Sequence, residues 1–370
     1  MTHLARQHKL GAMPGTTRIE TIDSEALRAN PLGDPALRRV AVWLPPSYAR
    51  APDRRYPVIY WLAGFTGTGE MMFQGSPWQP GLGERLDRLV ASGTMGEVIV
   101  VAPDGFNRLG GSQYLDSPAS GAYETHLTAE VITAIDGRFR TLATRAARGI
   151  GGKSSGGFGA LVLAMRHPAL FAAVACHSGD AYFELSVLPD VAKTVRTLRR
   201  HGGVEGFLRY FDATETKRPD DITTIMMLAL GACYSPDAAQ PRGIALPFDL
   251  ETGEIDWPVW RRWKAWDPVE MVTGHAGALR ALSLLFIDAG TRDEWNLDLG
   301  ARILTRRLAA LGVPFQHQEF DDGHRGINYR YDVSLPKLAA AQVAPSAAFS
   351  RSIVASSRVA TRVVVASSAA

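Results

Sequence analysis

Cysteine is scarce, with two in 370 residues, Cys176 and Cys233. They form no C-x-x-C pair, so neither a disulfide framework nor a dithiol redox motif is indicated. Cys176 closes the apolar run 171–176 and is expected to be a buried, inert thiol. Long hydrophobic runs are missing too: none approaches the ~18 apolar residues that a membrane span requires. Residues 1–17 lack the apolar core of a secretory signal. Nor does one sign of charge dominate. The formal net charge is +3, from 40 basic and 37 acidic residues. The basic residues are scattered apart from short pairs such as Arg199-Arg200, which argues against nucleic acid as a partner. The nine histidines show no H-E-x-x-H or similar ligand spacing, so neither a metal nor another cofactor is expected. What remains is a soluble protein without a membrane partner, cytoplasmic by default. Composition leaves a homo-oligomer open.

Strand and helix patterns alternate over the first 180 residues. Residues 39–44, 56–62, 97–102 and 171–176 read as strands. Several are apolar almost throughout, as suits a parallel sheet covered on both faces. Residues 82–92 and 123–139 read as helices; in the second, Leu127, Val131, Ile135 and Phe139 recur every four residues. The expectation is an α/β fold with a mostly parallel central sheet flanked by helices. Residues 1–35 look polar and loop-like.

Between about 180 and 268 the alternation breaks. Helical stretches (191–201, 222–230) and loops lead to Trp257, Trp260, Trp263 and Trp266. This segment reads as a cap inserted over the sheet edge, with the tryptophans packing it onto the core; an apolar wall for substrate is the alternative. The sheet pattern then resumes with a strand at 281–288, a helix at 297–311, a strand at 315–320, a loop at 321–326 and a helix at 333–341. One catalytic domain over 1–342 is expected, followed by a low-complexity Ala/Ser/Val tail over 343–370.

Glycine is abundant, and it clusters at 149–159. There Gly152-Lys153-Ser154-Ser155-Gly156 forms G-x-S-x-G, the signature of a sharp strand-to-helix turn that holds its serine in strained geometry and exposes the hydroxyl. The same letters fit a loose phosphate-binding loop, in which Lys153 would touch phosphate and Ser154 a magnesium ion. The rest of the chain decides against it. Gly156-Gly157 would fall in the first turn of the required helix, and two later loops would lose their purpose.

Those loops carry a base and its orienter. A serine nucleophile needs both, and donors for the oxyanion as well. In sheet-based hydrolases the order is Ser, acid, His. His317 lies inside the last strand and reads as structural. His324 lies in the glycine-flanked loop beyond it. Asp293 follows the preceding strand, with Asp288 and Glu294 as runners-up; Asp288, at the strand end, reads as structural. The backbone N–H groups of Ser155 and Phe65 are the expected oxyanion donors. Trp78, Phe106, Trp260 and Trp295 are candidates for the substrate pocket.

Several ordered stretches resemble the esterase D-like family of α/β-hydrolases, whose members include S-formylglutathione hydrolases, feruloyl esterases and mycolyltransferases. Residues 56–65 (YPVIYWLAGF) are similar to the family's early strand and oxyanion loop, with Ala63 where His or Ser is usual. Residues 30–35 and 39–46 resemble its opening strand, and 112–118 with 123–125 the segment before its long helix. Residues 152–157 match its elbow, 288–294 its acid loop, and Gly323-His324 its histidine loop. The similarity spans roughly residues 20–340. It implies an α/β-hydrolase fold and a Ser154–His324–Asp293 triad. The expected activity is that of a serine carboxylesterase acting on a small-molecule ester. An acyltransferase on the same triad is the alternative, and a non-catalytic binding protein on this fold a remote one.

Overall fold

The central strands are apolar on both sides because each side meets a different layer of helices. In β3 (Val58–Leu62), Val58, Tyr60 and Leu62 enter one core cluster, while Ile59 and Trp61 enter another. This is the period-2 alternation of a strand buried on both faces. The computed structural model describes residues 13–342 and the two-residue strand Val364–Val365. The rest of the expected tail lies outside the described residues.

The strands are β1 (Thr16–Asp23), β2 (Leu37–Leu44), β3, β4 (Ile99–Pro103), β5 (Asp116–Ser117), β6 (Gly121–Ala122), β7 (Arg148–Lys153), β8 (Ala173–His177), β9 (Leu284–Gly290), β10 (Gln316–Phe320) and β11 (Val364–Val365). The main sheet runs β1-β2-β4-β3-β7-β8-β9-β10-β11. From β4 to β10 every neighbour is parallel; β1, β2 and β11 pair antiparallel at the edges. β5 and β6 form a separate small hairpin.

The helices are α1 (Leu82–Ala91), α2 (Tyr123–Thr125), α3 (Ile132–Arg138), α4 (Ser155–Arg166), α5 (Phe183–Ser186), α6 (Val191–Arg200), α7 (Val204–Ala213), α8 (Pro219–Tyr234), α9 (Trp257–Lys264), α10 (Pro268–Arg280), α11 (Leu297–Ala310) and α12 (Tyr331–Ala341). Residues of α1 and α12 join one core cluster; those of α3, α4, α10 and α11 join the other. No helix among the described residues is long and apolar enough to cross a membrane.

Two expectations change. The polar opening segment is not all loop: β1 lies in register along β2, Thr16 opposite Leu44 and Asp23 opposite Leu37. It was hidden because an edge strand needs few apolar residues, and most of β1 is exposed. The helix expected at 123–139 is interrupted by a π-helical stretch, His126–Val131, between α2 and α3. A spacing of four residues overshoots the α-helical turn by about 40° each time. The wider π turn takes up that drift, so Leu127, Val131 and Ile135 all stay buried.

The segment between β8 and α10 carries α5 to α9. It is fastened to α4 by an aromatic chain. Phe158 lies 6.3 Å from Phe183, Phe183 stacks on Tyr234 at 5.4 Å, and Tyr234 meets Trp263 edge-on at 5.5 Å. Trp263 also donates to Ser235 Oγ at 2.6 Å. The tryptophans at 260 and 263 therefore serve packing, the first of the two readings the sequence allowed.

Candidate active site

β7 sits at the middle of the sheet between β3 and β8, with Gly152 opposite Leu62 and Lys153 opposite His177. The strand ends at Lys153 and α4 begins at Ser155. Ser154 alone makes the turn, at φ 58° and ψ −128°. The glycines around it are a steric necessity. A Cβ at Gly156 would lie 2.2 Å from the Leu62 carbonyl oxygen, and one at Gly152 would lie 2.6 Å from the same atom. Ser154 N–H donates to the His177 carbonyl at 2.9 Å. Its hydroxyl has no hydrogen-bond partner among the described residues.

A non-glycine residue in such a conformation stores on the order of 1–3 kcal/mol. We expect Ser154→Gly to unfold at higher denaturant than Ser154→Ala, by about 1 kcal/mol once glycine's looser unfolded chain is counted. Equal midpoints in urea titrations would contradict stored strain at this position.

The acid and the histidine meet on two loops packed against each other. Asp293 Oδ2 accepts from His324 Nδ1 at 2.8 Å, and Asp293 Oδ1 accepts from the Trp295 N–H at 3.0 Å. Both side chains are buried. The neighbouring Glu294 is not the orienter of the ring; its carboxylate accepts from the His324 backbone N–H at 2.6 Å and so holds the loop. A Cβ at Gly290 would lie 2.3 Å from the Asp322 carbonyl oxygen, so only glycine lets the two loops approach. Trp295 meets the His324 ring edge-on at 4.8 Å. With Nδ1 committed to Asp293, Nε2 is the ring nitrogen of His324 with no hydrogen bond among the described residues. No hydrogen bond joins His324 to Ser154 in this structure, and catalytic hydrogen bonds commonly tighten only when substrate is bound.

The loop after β3 runs beside the serine. A Cβ at Gly64 would lie 3.3 Å from Ser154 Cβ. Thr66, at φ 65°, turns the loop away and donates its N–H to the Gly110 carbonyl at 2.8 Å. The N–H groups of Phe65 and Ser155 have no acceptor among the described residues. The Phe65 ring packs against the core cluster that contains Leu109 and lies over Gly110, where a Cβ would come within 2.7 Å of it.

The other sequence candidates separate. Asp288 is fully buried within β9 and belongs to a different network. Its Oδ1 is 2.6 Å from His177 Nδ1, His177 Nε2 is 2.7 Å from Ser334 Oγ, and Arg330 Nε donates to Asp288 Oδ2 at 2.9 Å. These are the residue types of a triad, but His177, Asp288 and Ser334 are all 0% exposed, so the set is a brace between sheet and α12. His317 is buried in β10, and its Nε2 has no hydrogen-bond partner among the described residues. The Cys176 thiol is buried and pushed up to about 12 by desolvation, which makes it inert.

Of the pocket candidates, Trp295 touches the site. Trp260 is buried in the core, stacked on Trp263 at 6.2 Å, and offers no wall to a substrate. Trp78 is 90% exposed, and Phe106 is an exposed loop residue whose carbonyl accepts from Arg38. Among the described residues, no group of three His, Cys, Asp or Glu side chains is arranged to hold a metal ion.

Two residues escaped the sequence reading. Asp180 lies just beyond β8, and its carboxyl is held above the usual range by burial; the Gln113 hydrogen bond and nearby His324 oppose that shift. Gln113, at φ 50°, donates from Nε2 to Asp180 at 3.1 Å and to the Tyr234 hydroxyl at 2.8 Å. Asp180 follows His177 by three residues, yet nothing in that spacing announces burial. The contact joins residues 67 apart in sequence.

A mostly parallel sheet with a strained serine at the turn after its central strand is the architecture of the α/β-hydrolase fold. The chain belongs to the esterase family described as "Putative esterase", which matches residues 35–333. The esterase Rv1288 of Mycobacterium tuberculosis is 34% identical over 148 residues, 38% of this chain and 29% of that protein. The chain thus spans under a third of the length of that curated relative. Among solved structures, a ferulic acid esterase superposes with a TM-score of 0.56 at 21% identity, over 89% of this chain and 99% of the other. An S-formylglutathione hydrolase from Agrobacterium tumefaciens gives 0.55 at 18%, over 90% and 97%. At these identities the structural likeness is one of fold.

Proposed function

We propose that the chain is a carboxylesterase working through Ser154, His324 and Asp293. His324 Nε2 takes the hydroxyl proton as Ser154 Oγ attacks the ester carbonyl carbon. The carbonyl electron pair moves onto oxygen, and the Phe65 and Ser155 N–H groups stabilise that oxyanion. As the tetrahedral species collapses, the leaving alcohol departs with the proton from His324, and the acyl group remains on Ser154. Water then attacks the acyl carbon, giving its proton to His324. The second collapse releases the acid and returns the proton to Ser154. Asp293 orients the ring and stabilises the imidazolium. The segment carrying α5 to α9 is read as a cap on one catalytic domain that takes in residues 1–342.

The observation that carries this reading is the buried His324–Asp293 hydrogen bond on two interlocked loops, in the chain order that follows the elbow serine. Rapid mixing with p-nitrophenyl acetate should give a burst of p-nitrophenol of about one equivalent per chain, the mark of an acyl-enzyme. Digestion of the quenched protein should place the acetyl group on the peptide containing Ser154. An acyl group on any other residue would sink the assignment. Added methanol measures the partition: methyl acetate as the main product would make the chain an acyltransferase instead.

A further inference from the structure

Lys153 precedes the proposed nucleophile, and the hydrolysis just described gives it no task. Its ammonium has no hydrogen bond or ion pair among the described residues. Burial is the main influence on it and pushes its pKa down; Asp293 and Glu294 pull the other way. A cation held so near the reacting serine, partly stripped of water and without a partner, is costly unless something fills its coordination.

Lys153 lines a cleft of about 310 Å³. The oxyanion loop from Ala63 to Thr68 forms one wall, and Asn328 and Tyr331 form part of the other. The lining holds two cations, Lys153 and Arg85, and no carboxylate. Arg85 is already bound to Asp332 at 2.6 Å, which leaves Lys153 as the lining cation with no hydrogen-bonded carboxylate among the described residues. The amides of Gln79 and Asn328 add donors, and Met71, Met72 and Leu82 provide an apolar bed.

The cleft's position says which half of an ester enters it. The histidine must hand its proton to the leaving oxygen, so the leaving group departs on the histidine's side. Asn328 and Tyr331 follow His324 by four and seven residues, and Gln79 reaches across to the Gly326 carbonyl at 3.5 Å. The cleft is therefore bounded on one side by the segment that follows His324.

We propose that this cleft is the leaving-group subsite and that Lys153 selects esters whose alcohol portion carries an anionic group such as a carboxylate. The inference rests on the hydrolase reading above. It goes beyond it by naming the charge of the substrate.

Three phenyl acetates test it, bearing carboxylate, carboxamide or trimethylammonium at the para position. Their intrinsic reactivities differ, but the difference cancels when wild type is divided by variant for each ester. For Lys153→Met we expect kcat/KM on the carboxylate ester to fall about tenfold further than on the carboxamide, mostly through KM. The trimethylammonium ester should shift the opposite way. Lys153→Arg should keep most of the carboxylate preference, and raising salt from ~50 to ~500 mM should erode it.

Equal losses on all three esters, with a displaced acid limb of the pH profile, would make Lys153 a support for the triad and overturn the proposal. So would a carboxylate preference that survives in Lys153→Met. Calorimetry with 4-hydroxybenzoate on wild type, Ser154→Ala and Lys153→Met separates the two readings. Binding that needs Lys153 but not Ser154 supports the subsite even if none of the esters is hydrolysed, a result that would sink only the catalytic assignment. No binding to any of the three proteins would overturn the subsite.

Discussion

Ser154→Ala is expected to lower kcat/KM for p-nitrophenyl esters by at least ~10⁴-fold, about 5.5 kcal/mol of transition-state stabilisation. Removing Oγ removes the covalent route altogether. On the proposed mechanism, what survives is binding, together with the Phe65 and Ser155 N–H groups as donors to a tetrahedral species formed by water attack. The loss should appear in kcat, because the carbonyl still meets the same cleft. Folding should be little changed: alanine bears the same positive φ as serine, and the serine hydroxyl makes no hydrogen bond to lose. A far-UV circular dichroism spectrum and urea midpoint like those of wild type would make the comparison clean. Hydrolysis at the wild-type rate would end the case for Ser154.

Two aspartates five residues apart supply the second large contrast. Asp293→Asn should cost on the order of 10³–10⁴ in kcat, because the amide can donate to His324 and so favours the tautomer that cannot accept the serine proton. Its effect on stability should stay within about 1–2 kcal/mol, since the replacement has the same shape. Asp288→Asn should do the reverse. It removes the charge that compensates Arg330 and leaves one acceptor oxygen where His177 and Arg330 each use one, at a cost of about 3 kcal/mol or more. Activity per folded molecule should stay within about tenfold of wild type. Urea unfolding and initial rates on both variants give the comparison. If Asp288→Asn were the inactive, stable one, the roles would be exchanged.

That contrast shows what the sequence could carry. The elbow was legible because it rests on backbone geometry: Gly152 and Gly156 stand where any Cβ would strike the end of β3. The acid and histidine loops were legible because chain order and strand ends place them. The parallel strands were legible because both faces are buried. β1 was not, since an exposed edge strand is written largely in Thr, Arg, Glu and Asp. The π-helical stretch was not, since its stripe looks like that of an α-helix. Asp180 was not, since its partner Gln113 lies far away in sequence and only the folded chain brings the two together. Lys153 was legible as a residue and illegible as a charge, because its want of a partner depends on a cleft built from four separate segments. Trp260 shows the opposite error: an aromatic in an inserted segment looks like a pocket wall until the core is seen to close over it.

The buried Ser334–His177–Asp288–Arg330 network bears on the histidine loop it never touches. The loop from 321 to 326 leaves β10, which is paired along β9, and runs through a short 3-10 turn into α12. Arg330 and Ser334 bolt that exit to the sheet through Asp288 and His177. A tether of some six residues between two fixed posts has little conformational entropy left to lose. His324 is therefore held in place before any ligand arrives, and if it is the general base proposed above, binding energy need not be spent on ordering it.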